Sequence, residues 1–193
     1  FLKYNKKKMN EIKKKINYFK NYNFFIYKNL NKIDQRDLLK IVKIITNAKK
    51  TKNKIILVGN GGSAAISSHV SVDFTKICKI RSINFNEADL ITCYANDYGY
   101  ENWVAKSLES FAKKNDVAIL ISSSGESKNI INGLKKANKM GLKTITLTGF
   151  KKNNTVSKLG SINLWINSKK YNIIEMVHHI WLLSICDFIA KKN

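Results

Sequence analysis

The pattern of apolar and polar residues changes near residue 54. Before that point, apolar residues recur at intervals of three and four among lysines, which is typical of amphipathic helices. This spacing predicts one helix over residues 4–30 and a second over 34–50, with Asp34 as candidate N-cap. The apolar stripe of the first helix consists of Met9, Ile12, Ile16 and Phe19. Such a stripe usually packs against a partner.

After residue 54, short apolar runs alternate with longer helical patterns. The runs predict strands at 54–59, 81–85, 116–124, 143–149 and 162–168. Helices are predicted at 61–76, at 87–114 with a break near Asp97–Gly99, at 127–141 and at 171–191. This alternation indicates an α/β fold with a parallel sheet covered on both faces. We therefore expect a helical extension over 1–52 and one domain over 53–193, with ligands bound beyond the carboxyl ends of the strands.

Composition narrows the class of protein. The 193 residues are 44% hydrophobic and 25% charged, which excludes a disordered, collagen-like or disulfide-scaffold chain. No apolar run reaches ~18 residues, so we expect no membrane-spanning helix. The isolated Cys78, Cys93 and Cys186 favour a reducing cytoplasm.

The chain is strongly basic, with 35 Lys and Arg residues against 13 Asp and Glu residues and a net charge of +22. Nearly all of the cations are lysines spread along the chain, and lysine reads base edges poorly compared with arginine. We interpret them as a solvated basic surface and consider nucleic acid an unlikely partner. A polyanion site and steering of an anionic substrate remain the alternatives.

The first candidate site is the sequence VGNGGSAA at 58–65, between a strand and a helix. Glycines and a serine at a helix start leave backbone N–H groups open to an oxyanion. The sequence matches neither the P-loop nor the dinucleotide-binding pattern. The alternative is a glycine-rich turn with a capping serine. The candidate substrate-binding residues here are Asn60, Gly61, Gly62 and Ser63.

The second candidate site is the sequence SSSGES at 122–127, again between a strand and a helix. Small hydroxyl groups donate hydrogen bonds without blocking a ligand. The alternative is a capped turn with Ser127 as N-cap. Two such loops at one sheet edge indicate a phosphate held by hydroxyls and amides, as suits a sugar phosphate more than a nucleotide. The candidate residues here are Ser122, Ser123, Ser124 and Ser127.

Three segments carry a resemblance to a known family: GNGGSAAISSHVSVDFTK, TCYANDYGYENWVAKSLE and LISSSGESKNIINGLKKANKMGLKTITLTG. They resemble the phosphoheptose isomerase branch of the sugar isomerase (SIS) domain family over residues 54–150. The resemblance implies a flavodoxin-like, five-stranded αβα sandwich and a homotetramer with active sites between subunits. It implies conversion of sedoheptulose 7-phosphate to an aldoheptose 7-phosphate for surface polysaccharide. The serines at 63, 122, 124 and 127 would hold phosphate, and Asn60 and Asp97 would lie along the sugar.

Isomerisation needs a base near the carbon and a group that polarises the oxygen, often a metal. His69 and Asp73 are four residues apart and share a helix face. By spacing alone, a surface histidine beside an acid is the simpler interpretation. The resemblance implies metal ligation at both positions and a catalytic base at 73. The family has a Glu there, so the Asp of this chain reaches about one methylene less far.

The closing helix departs further from the family pattern. Glu175 matches the family's Gln or Glu and is expected to bind substrate and metal. The position of the expected histidine ligand and proton carrier falls on Leu183. His179 lies on the same helix face and is our candidate for its catalytic role, while His178 resembles a histidine that the family often carries. We expect Zn²⁺ held by His69, Asp73 and Glu175, with Asp73 and His179 as catalytic residues.

Two functions remain open at this point. One is an active phosphoheptose isomerase or a close ketose–aldose phosphate isomerase, favoured by His69, Asp73 and Glu175. The other is a non-catalytic SIS protein that binds a phosphosugar or associates with the replication initiator, favoured by Leu183 and the basic surface.

Overall fold

The computed structural model describes residues 2–191, with side chains from residue 8 onward. Within this range there are eight helices and five strands. The helices are α1 Leu2–Leu30, α2 Gln35–Lys50, α3 Gly62–Lys76, α4 Ala88–Tyr98, α5 Trp103–Phe111, α6 Lys128–Lys139, α7 Thr155–Leu159 and α8 Tyr171–Ala190. The strands are β1 Ile55–Gly59, β2 Ser82–Asn84, β3 Val117–Ser122, β4 Lys143–Thr148 and β5 Ile162–Trp165.

The five strands form one parallel sheet in the order β2-β1-β3-β4-β5, which confirms the predicted α/β class. Ile55 of β1 pairs with Ser82 on one side and with Val117 on the other. The strand order reverses its direction of growth between β1 and β3. The loops that follow these two strands therefore diverge and leave a crevice at the carboxyl edge, where ligands of open α/β sheets bind.

The sheet is the middle layer between two hydrophobic cores. Ile55 and Leu57 of β1 belong to the core formed with α2, α3 and α8. Ile56 and Val58 belong to the opposite core, formed with α5 and α6. All four are buried, because successive strand residues point to opposite faces and both faces are covered. This is the predicted three-layer αβα sandwich.

The break predicted near Asp97–Gly99 is confirmed: residues 87–114 contain two helices, α4 and α5, because the chain turns at 99–102, where Gly99 adopts a φ of 83°. The short helix α7 was not predicted, since five residues carry too little periodicity to be recognised. Asn154 caps α7 by accepting a hydrogen bond from the backbone N–H of Ser157 at 2.8 Å.

The N-terminal extension is helical as predicted. Asp34 caps α2 by accepting a hydrogen bond from the backbone N–H of Arg36 at 2.9 Å. Ile41 and Ile45 of α2 are buried in the core, and α1 packs against α8. The apolar stripe of α1 stays exposed in the single chain, with exposed fractions of 48–66% at Met9, Ile12, Ile16 and Phe19. The division of the chain at residue 52 stays a prediction.

Helix α8 packs against α1, α2 and α3. By length and composition it is the one helix among the described residues that would qualify to cross a membrane, although no such helix was expected. Half of its apolar window is buried inside the protein, including Ile174, Val177 and Trp181. The structure thus accounts for its apolar character as that of a core helix.

Candidate active site

A small cavity opens at the carboxyl edge of the sheet, where α3, α6 and α8 begin. Its volume is about 100 Å³. Larger clefts lie elsewhere among the described residues, but none of them is lined by the loops that follow β1 and β3. The residues that line the small cavity are Asn60, Ser63, Ile121, Ser122, Ser123, Ser124, Ser127, Tyr171 and Glu175.

The loop after β1 is shaped by its glycines. A Cβ at Gly59 would lie 2.6 Å from the backbone of Ser63, so only glycine allows this approach. Gly61 adopts a φ of 53°, which favours glycine. Helix α3 then begins at Gly62 without a side-chain cap, and the buried Ser63 lines the cavity. The positive end of this helix is therefore directed at the cavity.

The loop after β3 supplies hydroxyl groups. Ser122 donates a hydrogen bond to the Oγ of Ser127 at 3.2 Å. Ser127 occupies the N-cap position of α6, yet its side chain makes no cap hydrogen bond. The Oγ of Ser123 is buried and has no hydrogen-bond partner among the described residues. Two helix N-termini thus meet hydroxyl groups that can still donate hydrogen bonds, and such an arrangement can bind an oxyanion.

Asn60 is held in place by other side chains. Its side-chain amide exchanges two hydrogen bonds with the amide of Asn129, at 3.0 and 2.8 Å. The hydroxyl of Tyr100 also donates to Oδ1 of Asn60, at 3.3 Å. The amide therefore enters the cavity wall in a defined orientation.

Glu175 faces the start of α3. A Cβ at Gly62 would collide with its carboxylate, so the glycine makes room for this side chain. Glu175 forms no hydrogen bond or ion pair with any of the described residues. Burial raises the pKa of its carboxyl group above the usual range. The group thus borders the cavity with its bonding capacity unused.

One turn further along α8, His179 contacts α3. Its Nε2 lies 3.0 Å from Nδ1 of His69, and Nε2 of His69 lies 3.5 Å from Oδ2 of Asp73. Burial, and secondarily the charge of His69, lowers the pKa of His179, while Asp73 acts in the opposite direction. Leu183 is half-buried and packs against the core that α8 shares with the sheet. The structure thus groups the two histidines with the aspartate, as the helix spacing predicted for His69 and Asp73.

His178 points away from this cluster, into the protein. It is fully buried, and its Nε2–H donates to the carbonyl of Thr148 at 3.2 Å. Burial lowers the pKa of His178 to about 4, despite the opposing effect of this hydrogen bond. His178 is therefore a neutral core residue.

Comparison with known proteins identifies the family. The family model described as the SIS domain matches residues 17–149. A phosphoheptose isomerase from Aliarcobacter butzleri is 37% identical over 164 residues, covering 82% of this chain and 86% of that protein. Another from Helicobacter pylori is 33% identical over 162 residues, covering 79% of this chain and 84% of that protein. The chain belongs to the phosphoheptose isomerase branch of the SIS domain family.

Solved structures agree on the SIS fold. The phosphoheptose isomerase from Neisseria gonorrhoeae superposes with a TM-score of 0.85 at 22% identity, covering 92% of this chain and 98% of that one. That from Francisella tularensis gives a TM-score of 0.84 at 22% identity, covering 94% and 98%. At this identity the likeness concerns the architecture alone, and it confirms the sandwich with its helical extension.

The histidine and carboxylate side chains near the cavity of this SIS chain are of the types that bind metal ions. Imidazole and carboxylate are ligands that Zn²⁺ prefers. His69, Asp73 and His179 are in mutual contact, whereas Glu175 borders the serine cavity. In the present side-chain arrangement, no group of three such residues in the described range converges on a metal position. The ligand set of His69, Asp73 and Glu175 stays a prediction.

Asp97 lies apart from the cavity in the single chain. It is exposed near the end of α4, where it accepts a hydrogen bond from the side chain of Asn96 at 3.0 Å. Its place along the sugar also stays a prediction.

The cavity involves three residues with polar side chains that sequence reasoning missed. Tyr171 lines it directly, while Tyr100 and Asn129 act on it through Asn60. Asn129 lies two residues after the second loop, in the first turn of α6. A polar residue at this buried helix position was the sequence signal that could have indicated its role. For Tyr100 and Tyr171, no spacing in the sequence indicates the contact, because both depend on how distant segments pack.

Proposed function

We propose that the protein isomerises sedoheptulose 7-phosphate to D-glycero-D-manno-heptose 7-phosphate through an enediol. The observation that carries this proposal is the path of α8. This helix contributes Glu175 to the serine-lined cavity and, one turn later, His179 to the contact with His69. Groups that can move protons therefore stand beside a pocket suited to a phosphate. Membership of the phosphoheptose isomerase branch supports the same reaction.

The phosphate end of the substrate fits the cavity between the starts of α3 and α6. Ser63, Ser122, Ser124 and Ser127 would bind its oxygens, with Ser123 adding its unpartnered hydroxyl. A hydrogen bond to a charged group contributes ~1.5–3 kcal/mol. Backbone near Gly61 and Gly62 would complete the contact, helped by the positive helix ends.

The proton transfers involve the first two carbons of the sugar. A base removes a proton from C1, the electron pair forms the C1–C2 double bond, and the C2 oxygen takes up a proton. Return of a proton to C2 and loss of the C1 hydroxyl proton give the aldehyde. We assign the role of the first base to Asp73. Leu183 stands where the family has a proton-carrying histidine and has no group that can donate or accept a proton, so we assign the role of the second proton carrier to His179. The lowered pKa of His179 favours its neutral form, which can accept a proton.

We propose Zn²⁺ as the cofactor, held by His69, Asp73 and Glu175. When bound, such an ion polarises the substrate carbonyl. Supporting this proposal, two of these residues are in contact and the third has no partner of its own among the described residues.

We further propose a homotetramer located in the cytoplasm that serves surface-polysaccharide heptose synthesis. The exposed apolar stripe of α1 supports association, because large apolar patches usually mark a protein interface. The free cysteines at 78, 93 and 186 are compatible with a reducing compartment. Light scattering at micromolar concentration tests the assembly, and a monomer would contradict it.

A non-catalytic phosphosugar-binding protein is the second candidate, and Leu183 is the observation that favours it. The experiment is to incubate the purified protein with sedoheptulose 7-phosphate, with and without Zn²⁺, and to follow the product by NMR. We expect turnover in wild type and a loss of ~10²-fold or more in His179→Ala and in Asp73→Asn. The exposed neighbour Met176 provides the matched control Met176→Ala, which should keep full activity.

The outcomes separate the two candidates. If His179→Ala turns over normally while Asp73→Asn is inactive, Asp73 works with water. If wild type gives no product and elemental analysis finds no metal, the isomerase proposal fails and the binding protein takes its place. The binding protein still predicts that Ser122→Ala combined with Ser124→Ala weakens sugar-phosphate affinity. Ser110→Ala, on the exposed side of α5, is the control for that pair.

A further inference from the structure

The loop between α4 and α5 reaches the active-site cavity through one side chain. This loop, residues 99–102, is anchored on α6 because Nδ2 of Asn132 donates to the carbonyl of Glu101 at 3.0 Å. The ring of Tyr100 remains 54% exposed, yet its hydroxyl donates to Oδ1 of Asn60. A hydroxyl on a mostly exposed ring is thus directed at a residue of the cavity wall.

The hydrogen bonds of Asn60 leave one donor unused. Its Oδ1 accepts from Asn129 and from Tyr100, which fills both lone pairs of an amide oxygen. Its Nδ2 donates one hydrogen to Asn129, and its second hydrogen has no partner among the described residues. Since Asn60 lines the cavity, this N–H is available to an oxygen of a bound ligand.

The contact with Asn129 alone does not set which atom of Asn60 faces the ligand. If both amides turn over together, each still donates to and accepts from the other, so the pair has two equivalent settings. The hydroxyl of Tyr100 adds a third bond, made to the oxygen of Asn60 in the setting observed. In the reversed setting this hydroxyl would have to accept from Nδ2 instead, and because a phenol donates more strongly than it accepts, the observed setting is favoured. Without that hydroxyl, one of the two settings would present an acceptor to the ligand instead of a donor.

We propose that Tyr100 is a positioning residue, whose hydroxyl orients the Asn60 amide so that an N–H meets a sugar oxygen of the substrate. The inference rests on the proposed function, because it assumes a sugar phosphate anchored by the serines. The phosphate itself would be bound by Ser63 and by the hydroxyls of the second loop. The effect of Tyr100 should therefore fall on the sugar part of the ligand and not on inorganic phosphate.

The test is isothermal titration of the full chain with sedoheptulose 7-phosphate and, separately, with inorganic phosphate. We expect Tyr100→Phe to weaken sugar-phosphate binding ~3- to 10-fold, as for the loss of one hydrogen bond. Binding of inorganic phosphate should stay unchanged. In the Asn60→Ala background, Tyr100→Phe should have no further effect on either ligand. The control is Tyr98→Phe, since the hydroxyl of Tyr98 makes no hydrogen bond with the described residues although its ring is similarly exposed.

Each other result has a defined meaning. If inorganic phosphate fails to bind wild type, the phosphate site and the proposed function fail with it. If phosphate binds but Tyr100→Phe leaves the sugar-phosphate affinity unchanged, the positioning role is wrong while the proposed function stands. An equal loss for both ligands would mean that Tyr100 merely supports the loop. An additional loss in the Asn60→Ala background would mean that Tyr100 acts by another route.

Discussion

The buried His178 should make the folded state sensitive to acid. An unfolded chain protonates its histidines near pH 6.5, whereas burial keeps His178 neutral down to about pH 4. Between these values the unfolded state binds a proton that the native state does not. The free energy of unfolding is therefore unaffected by this group above pH 6.5 and falls as the pH drops below it.

The size of the effect follows from the two pKa values. Because the pKa of His178 is lowered from 6.5 to about 4, the free energy of unfolding falls by ~1.36 kcal/mol for each pH unit between these values, which amounts to about 3 kcal/mol once the pH reaches the lower one. Typical domains have only ~5–15 kcal/mol of stability, so the loss is a substantial fraction. Urea unfolding at pH 7.0, 6.0 and 5.0, followed by far-UV circular dichroism, measures the part lost by pH 5.0, which is ~2 kcal/mol.

The comparison variant is His178→Gln. Glutamine does not titrate, and its amide can still donate to the carbonyl of Thr148. We expect the wild type to lose stability more steeply below pH 6.5 than the variant, whatever their difference at pH 7. Parallel pH dependences would refute the argument. If the variant does not fold, the NMR signals of the wild-type His178 ring decide, because a midpoint near pH 6.5 would equally refute it.

Three further predictions concern other parts of the chain. Gly62→Ala should weaken sugar-phosphate binding, because the added Cβ displaces the Glu175 carboxylate at the cavity edge, while urea unfolding should change little because the end of that side chain can move; an unchanged sugar-phosphate affinity would contradict this. Asp116→Ala should cost ~3–5 kcal/mol in urea unfolding, because it removes a buried carboxylate and leaves the Lys54 ammonium, 2.6 Å from that carboxylate and with a side chain only 11% exposed, unpaired. Ile16→Glu should reduce the mass measured by light scattering if α1 joins subunits, and an unchanged mass would exclude that surface.

The fold was largely accessible from the sequence for physical reasons. A strand buried on both faces must be apolar throughout, so the run at 55–58 could only be a central strand of a covered sheet. The order of such runs then fixes a parallel topology. Helix α7 escaped prediction because its position depends on the cap at Asn154 and not on periodicity.

The candidate site was only partly accessible. Glycines and serines at strand ends indicated the cavity, because their small size is itself the chemical requirement. The contact between His69 and His179 spans 110 residues and depends on how α3 and α8 pack, so spacing within either helix could not indicate it. Tyr100 gave no signal at all, because its contact with Asn60 joins residues 40 positions apart and depends on how the loop packs.

The serine cavity and the histidine–aspartate cluster share helices α3 and α8 but use different turns of them. The hydroxyls of the second loop lie between β3 and α6 and that of Ser63 lies in the first turn of α3, whereas His69, Asp73 and His179 lie further along helices whose opposite sides are held by the core. A substitution at His69, Asp73 or His179 would therefore change the proposed proton transfers without altering the loops that would hold the phosphate. Such a scaffold can exchange one reaction for another, or lose its reaction altogether, and still recognise the same class of small molecule.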